Sequence, residues 1–223
     1  MHRPISIAID GPASSGKGTV ARKVAQALGY AYIDTGAMYR SVALIAARRG
    51  VEFTDAEALT ALTEGLAFAF SWSDGTLQVS VDGEDVTEAI RLESVGKGAS
   101  DVSIHKGVRR ALVERQRAMA TNGGVVMDGR DIGSVVLPDA ALKIYLDASV
   151  EVRSERRHKE LTIRGLVVDL ATVRREVVRR DQQDKERKEA PLIQAADAVY
   201  VDTTHLEPDA AARTIIGMAH KQA

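Results

Sequence analysis

Cysteine is missing from all 223 positions, so the chain can form neither disulfides nor thiolate metal sites. Aromatic residues make up only 4%, too few for a surface that stacks on successive nucleobases. No apolar run approaches the roughly 18 residues that a membrane-spanning helix needs. Charge of one sign is not in excess: 30 Lys and Arg stand against 31 Asp and Glu, a net charge of −1. That balance argues against a general nucleic-acid coat and against a membrane-surface protein. The five histidines are scattered without ligand spacing, so no structural zinc is expected. Asparagine occurs once, at Asn122, and Gly123 follows it, so the Asn-Lys-x-Asp guanine motif of a GTP-driven switch is absent. Met1-His2-Arg3-Pro4 leads straight into a strand pattern. No signal peptide, transit peptide or lipidation motif is therefore expected, and a cytoplasmic location is.

The most informative stretch is Ile5-Ser6-Ile7-Ala8-Ile9-Asp10 followed by Gly11-Pro12-Ala13-Ser14-Ser15-Gly16-Lys17-Gly18-Thr19. An apolar strand runs into a glycine-bounded loop and then into a helix, Val20 to Leu28, closed by Gly29. Such a loop cradles phosphates, because its N–H groups point inward, the helix N-terminus adds partial positive charge, and Lys17 adds a full one. The plain alternative is an ordinary glycine turn. In the general motif Ser or Thr directly follows the lysine and its hydroxyl reaches Mg²⁺. Here Gly18 stands there and Thr19 comes next, a reading common in small kinases acting on nucleoside monophosphates.

Strand-like runs recur at 5–10, 31–34, 125–128, 142–147 and 198–202, with helical patterns between them. Five short apolar strands separated by helices predict an α/β fold with a parallel sheet covered on both faces. Ligands of such sheets bind outside the carboxyl ends of the strands, which places Asp10, Asp34, Asp128 and Asp147 at or near the mouth. Two stretches break the alternation. Residues 68–86 alternate apolar and polar around Asp74-Gly75 and Asp82-Gly83, the pattern of an antiparallel meander. It reads either as an insertion able to fold over a substrate or as a decorative hairpin.

The second exception, Glu151 to Glu189, is helical and arginine-rich, with Arg153, Arg156, Arg157, Arg164, Arg174, Arg175, Arg179, Arg180 and Arg187. Most of these are expected on a solvated face. Leu166, Leu170, Val173 and Val177 step at helical spacing, and the same steps continue to Arg180, Asp184 and Arg187 before Ala190-Pro191. Inward charges are costly unless paired or bound to a ligand, which leaves an internal salt-bridge cluster or the rim of a polar pocket. Arginine would suit an anionic ligand there, since its planar fork grips two oxygens.

Two further segments are candidates for phosphate contact. In Val125-Val126-Met127-Asp128-Gly129-Arg130-Asp131-Ile132-Gly133 a strand delivers Asp128, where it could hold water on Mg²⁺, and tight Gly129 lets Arg130 and Asp131 project. Alone, this segment is more often a surface turn than a site; after a strand, in a chain that already has a phosphate loop, the balance reverses. In Asp34-Thr35-Gly36-Ala37-Met38-Tyr39-Arg40 a strand end opens a helix whose first amides, with Thr35 and Arg40, could take a phosphate or sugar.

These motifs, taken in order with the Arg180-Asp181…Asp184…Arg187…Ala190-Pro191-Leu192 run, resemble the bacterial cytidylate kinases over essentially the whole chain. The resemblance implies a nucleoside-monophosphate-kinase fold with a phosphate loop, in one domain spanning 1–223. Its core would be 1–66 and 119–223, with a monophosphate-binding β insertion at about 67–100 and a short helical lid at about 153–168. It implies transfer of the ATP γ-phosphoryl group to CMP or dCMP with Mg²⁺, with an adenylate or UMP/CMP kinase as the alternative. Gly11, Pro12, Ala13, Ser14, Ser15, Gly16, Lys17, Gly18 and Thr19 would hold ATP, with Arg153 and Arg157, beside Arg156, at the lid. Thr35, Tyr39, Arg40, Ser100, Arg109, Arg130, Asp131, Arg180, Asp184 and Arg187 would hold CMP. Ser100, Arg109 and Asp131 match base-reading positions, and Lys17, Asp128, Arg130 and Arg187 would carry the chemistry. No side chain would ligate the metal directly; phosphates and water would hold it near Thr19 and Asp128. Ala13 and Thr35 stand where some members have serine. A monomer acting on small molecules, without nucleic-acid or membrane partners, is expected.

Overall fold

The computed structural model describes residues 4–73 and 76–222. The chain clusters into two compact units, one of residues 1–32 with 122–223 and one of residues 33–121. Five strands, β1 (Ser6–Asp10), β2 (Ala31–Asp34), β6 (Val125–Gly129), β7 (Leu142–Asp147) and β8 (Val199–Asp202), form a sheet in the order β2-β6-β1-β7-β8. β1 runs parallel to β6 and β7, and β7 parallel to β8. The expected parallel sheet is therefore present, with strand limits within a residue or so of those read from the apolar runs.

In the first unit the sheet is buried on both faces: Ile7, Ile9, Val126, Met127 and Leu146 are fully enclosed. That is why these strands read as continuous apolar runs rather than as alternating ones. Helix α1 (Lys17–Leu28) packs against α8 (Pro208–Ala219) and lays Val20, Ala21, Val24 and Ala25 inward. Gly29, at φ 67, ends α1 by returning its N–H to the last turn, where a side chain would be strained.

The arginine-rich segment is two helices, α6 (Val150–Ile163) and α7 (Leu170–Glu186), packed on each other through Leu161, Val173 and Val177. The stripe expected from the spacing is corrected at both ends. Leu166 lies outside either helix, because Arg164 caps α6 and Gly165 takes a left-handed φ of 76; Leu166 and Leu170 are exposed. The buried row is Val173, Val177, Asp181 and Asp184, so an aspartate rather than Arg180 takes the inward position after Val177. Arg187 lies just past the last turn, with extended backbone. The stretch expected as a lid, 153–168, is most of α6 and the turn that follows.

The second unit holds α2 (Thr35–Arg48), α3 (Ala56–Gly65), α4 (Glu93–Val102), α5 (Lys106–Ala120) and a three-stranded antiparallel sheet. Its strands are β3 (Phe68–Ser73), β4 (Thr76–Val81) and β5 (Glu84–Asp85), as the meander pattern predicts. Asp82 and Gly83 both have positive φ, the tight-turn geometry that suits a right-twisted hairpin. The other expected turn, Asp74-Gly75, lies outside the described residues. Among the described residues no helix is long and apolar enough to cross a membrane.

Candidate active site

The loop after β1 is held in a shape that few side chains allow. A Cβ on Gly11 would lie 2.0 Å from the Leu146 carbonyl oxygen, so only glycine lets the two backbones approach. Ser14 sits at φ 59 and Gly16 at φ 90, and α1 begins directly afterwards. A non-glycine residue held left-handed costs on the order of 1–3 kcal/mol, and such strain concentrates at functional sites. Ser15 is fully enclosed and its Oγ has no hydrogen-bond partner, a buried polar atom left for something else to satisfy.

Several groups brace this loop from behind. Arg153 is 4% exposed, and its donors go to the Ala13 carbonyl at 3.2 Å, the Ala148 carbonyl at 2.9 Å and Asp181 at 2.6 Å. Arg156 donates to the carbonyls of Ser15 and Thr203, and Thr203 Oγ1 also donates to the Ser15 carbonyl. Arg157 pairs with Glu160. Of the arginines expected to face ATP, Arg153 thus grips the loop's own backbone, and Thr203 is a supporting residue that no sequence signal singled out.

Lys17 folds back to donate to the Pro12 carbonyl at 3.1 Å. Burial, then the charges of Arg130 and Arg180, push its pKa down to about 7, against the pull of Asp128 and Asp184. A lysine poised so is ready to be recharged by an incoming anion. Beside it, the last residues of β6 include Asp128, whose Oδ1 accepts from the Tyr32 hydroxyl at 2.7 Å. A Cβ at Gly18 would lie 3.3 Å from that hydroxyl and 3.8 Å from Asp128 Oδ2. The position where the general motif carries Ser or Thr is therefore filled from outside by a tyrosine–aspartate pair. Tyr32 escaped sequence reasoning because its partner is 96 residues away.

The charges predicted from α7 meet those after β6. Arg130 Nε donates to Asp184 Oδ2 at 2.7 Å, and Arg187 Nη2 to Asp131 Oδ1 at 3.4 Å. Burial disfavours charge on Asp184, but Arg130, Arg180 and Arg187 outweigh it and hold the carboxyl below the usual range. For Arg130 too, burial is outweighed, here by Asp184, Asp128 and Asp181, so its guanidinium stays charged. Of the two alternatives left open by the spacing, the internal salt-bridge cluster is present: Arg130 pairs with Asp184 and Arg187 with Asp131, and the charge of Arg180 acts on both Asp184 and Lys17. Among the described residues no His, Asp or Glu cluster is arranged to hold a metal ion by itself.

The remaining candidates lie in the second unit. Asp34 accepts from the Ala37 amide, capping α2, and from Arg40 Nη2, each at 2.8 Å. A Cβ on Gly36 would fall 3.0 Å from Arg40 Nη1, so the glycine clears room for that guanidinium. Thr35 and Arg109 are buried, and Arg109 lies 5.5 Å from the Tyr39 ring centre while donating to the Ser103 carbonyl. Ser103 in turn donates to the Ser100 carbonyl at 2.8 Å. Each unit therefore assembles its own share of the expected residues.

A family model described as cytidylate kinase matches residues 7–221. The cytidylate kinase of Geobacillus sp. (strain WCH70) is 52% identical over 206 residues, covering 92% of this chain and 92% of that protein. That of Geobacillus kaustophilus (strain HTA426) is 48% identical over 222 residues, covering 100% and 99%. Among solved structures, a gluconokinase from Sinorhizobium meliloti aligns over 99% of this chain and 94% of its own at a TM-score of 0.51 and 16% identity, a likeness of fold alone.

Proposed function

Because the chain belongs to the cytidylate kinase family, we propose that it transfers the γ-phosphoryl group of ATP to CMP or dCMP, yielding ADP with CDP or dCDP. The observation that carries the reading is the convergence in one unit of the strained phosphate loop, depressed Lys17, and the arginines paired to Asp131 and Asp184. Phosphoryl transfer needs alignment and charge neutralisation more than a protein nucleophile, and this inventory supplies cations without one.

In this reading the loop amides from Gly11 to Thr19 and Lys17 take the ATP phosphates. Lys17 leaves the Pro12 carbonyl for a phosphate oxygen and is recharged there. Arg130 and Arg187 neutralise the CMP phosphate, and Arg180 and Asp184 meet the sugar. Asp131 reads cytosine. Its N4 amino group donates and its N3 and O2 accept, a pattern a carboxylate and an arginine match and uracil does not. The residues also fit magnesium brought in by ATP: Asp128, oriented by Tyr32, would hold its water near Thr19, since Gly18 offers no hydroxyl. Bound there, the ion supplies further positive charge on the phosphate oxygens. We place the reaction in the cytoplasm, carried out by a monomer.

A coupled assay with ATP and each of CMP, dCMP, UMP and AMP tests the proposal. CMP and dCMP are expected to be turned over well ahead of the others, and Asp131→Ala to lose much of the CMP preference over UMP. Equal rates on CMP and UMP in the parent enzyme would refute it.

A further inference from the structure

We infer that Asp10 is a positioning residue for Asp131, and through it a determinant of base choice. The inference rests on the proposed role of Asp131 and adds to it a residue outside the nucleotide contacts proposed above. Asp10 ends β1, one residue before the phosphate loop, and is 5% exposed. Its two carboxylate oxygens are used separately: Oδ1 accepts from the Ile132 amide and Oδ2 from the Gly133 amide, each at 2.7 Å. These are the two peptide groups immediately after Asp131.

One acceptor would tether that backbone and leave it free to swing. Two acceptors on one rigid carboxylate fix both its distance and its rotation. The first of these peptide groups is fastened at its carbonyl end as well. Its carbonyl accepts from the amides of Val135 and Val136, and the Leu137 amide donates to Ile132, closing a turn of π-helix over Ile132–Val136. Such turns are rare, and they are frequent at functional sites. The Asp131 side chain emerges from this doubly fastened peptide and meets Arg187. The fit is close: a Cβ on Gly133 would lie 3.4 Å from Asp10 Oδ2 and 3.2–3.3 Å from the Lys143 side chain.

A carboxylate is a costly choice for this task. Burial pushes the Asp10 carboxyl up to about 6, even though both amides and Lys17 favour its charge. A neutral acceptor would avoid that cost, but serine or asparagine offers only one acceptor in this orientation. Asparagine would also turn an N–H₂ toward one of the two amides.

The experiment compares kcat and KM for CMP and UMP, at saturating ATP, in the parent chain, Asp10→Asn, Asp131→Ala and the double variant. Losing one of two charge-assisted bonds should lower kcat/KM for CMP by about tenfold or more. UMP should change far less, so the CMP:UMP ratio falls. In the Asp131→Ala background the Asp10 change should leave that ratio where it was, because its route of action is gone. If Asp10→Asn lowers both acceptors equally, the residue merely braces the phosphate loop and the inference is overturned. Should Asp10→Asn fail to fold, Gly133→Ala disturbs the same contact from its other side, and an unchanged ratio there is equally fatal. A parent enzyme indifferent between CMP and UMP sinks the functional reading along with the inference; a preference intact in Asp10→Asn sinks the inference only.

Discussion

Arg130 Nε donates to Asp184 Oδ2 at 2.7 Å, joining the turn after β6 to the last turn of α7 across 54 residues. Both side chains are largely enclosed, 17% and 12% exposed, so water screens the pair only weakly. The same aspartate also carries the influence of Arg180 and Arg187 and acts on Lys17.

Removing that carboxylate should be costly. Asp184→Ala leaves Arg130 enclosed without its carboxylate, and breaking such a pair from one side costs about 3 kcal/mol or more. The expected outcome is a lower urea midpoint together with weaker turnover of both CMP and dCMP or a changed ratio between them. Unaltered unfolding and an unaltered ratio would assign the aspartate no part in either.

Arg153 offers a contrasting case, because its donors are spent inside the protein. Arg153→Met should destabilise by about 3–5 kcal/mol, leaving Asp181 buried and unpaired. Adding Asp181→Asn should recover part of that loss, since neither charge then remains. Denaturant unfolding of the two single variants and the double variant reads the recovery directly.

Lys17 gives a pH dependence with a definite sign. Its pKa falls from 10.5 to about 7 on folding, so the folded chain binds fewer protons than the unfolded one between those values. This lysine therefore lowers stability below about pH 7, and the penalty is relieved as pH rises toward 10.5. ATP phosphates favour the ammonium, so binding at about pH 8 should take up close to one proton, and affinity should weaken from pH 7 to 9. Calorimetry in two buffers of different ionisation enthalpy measures the uptake, which Lys17→Met should abolish.

The Tyr32–Asp128 pair explains why glycine stands at position 18. Tyr32→Phe should cost about 1.5–3 kcal/mol, the range for a hydrogen bond to a charged group. Gly18→Ala should be tolerated better in that background than in the parent, because the hydroxyl 3.3 Å from the new methyl is gone. A double-mutant cycle in thermal melts checks this: additive effects would mean the two positions do not crowd each other.

Local chemistry determined much of this protein from the sequence alone. Short apolar runs separated by helical patterns point to strands of a covered parallel sheet, and Gly11, Gly16 and Lys17 mark a phosphate loop by backbone sterics and charge. Asp82-Gly83 marks a hairpin turn for the same kind of reason. Periodicity on α7 showed that charges turn inward, but its phase failed where Gly165 separated two helices and left Leu166 exposed. What only the tertiary structure decided are pairings across long stretches of chain. Asp10 reaches over 122 residues to Ile132, Tyr32 over 96 to Asp128, and Arg153 over 140 to the Ala13 carbonyl. Residue type sets what a side chain can donate or accept, whereas its partner is chosen by which strand ends the sheet order brings together.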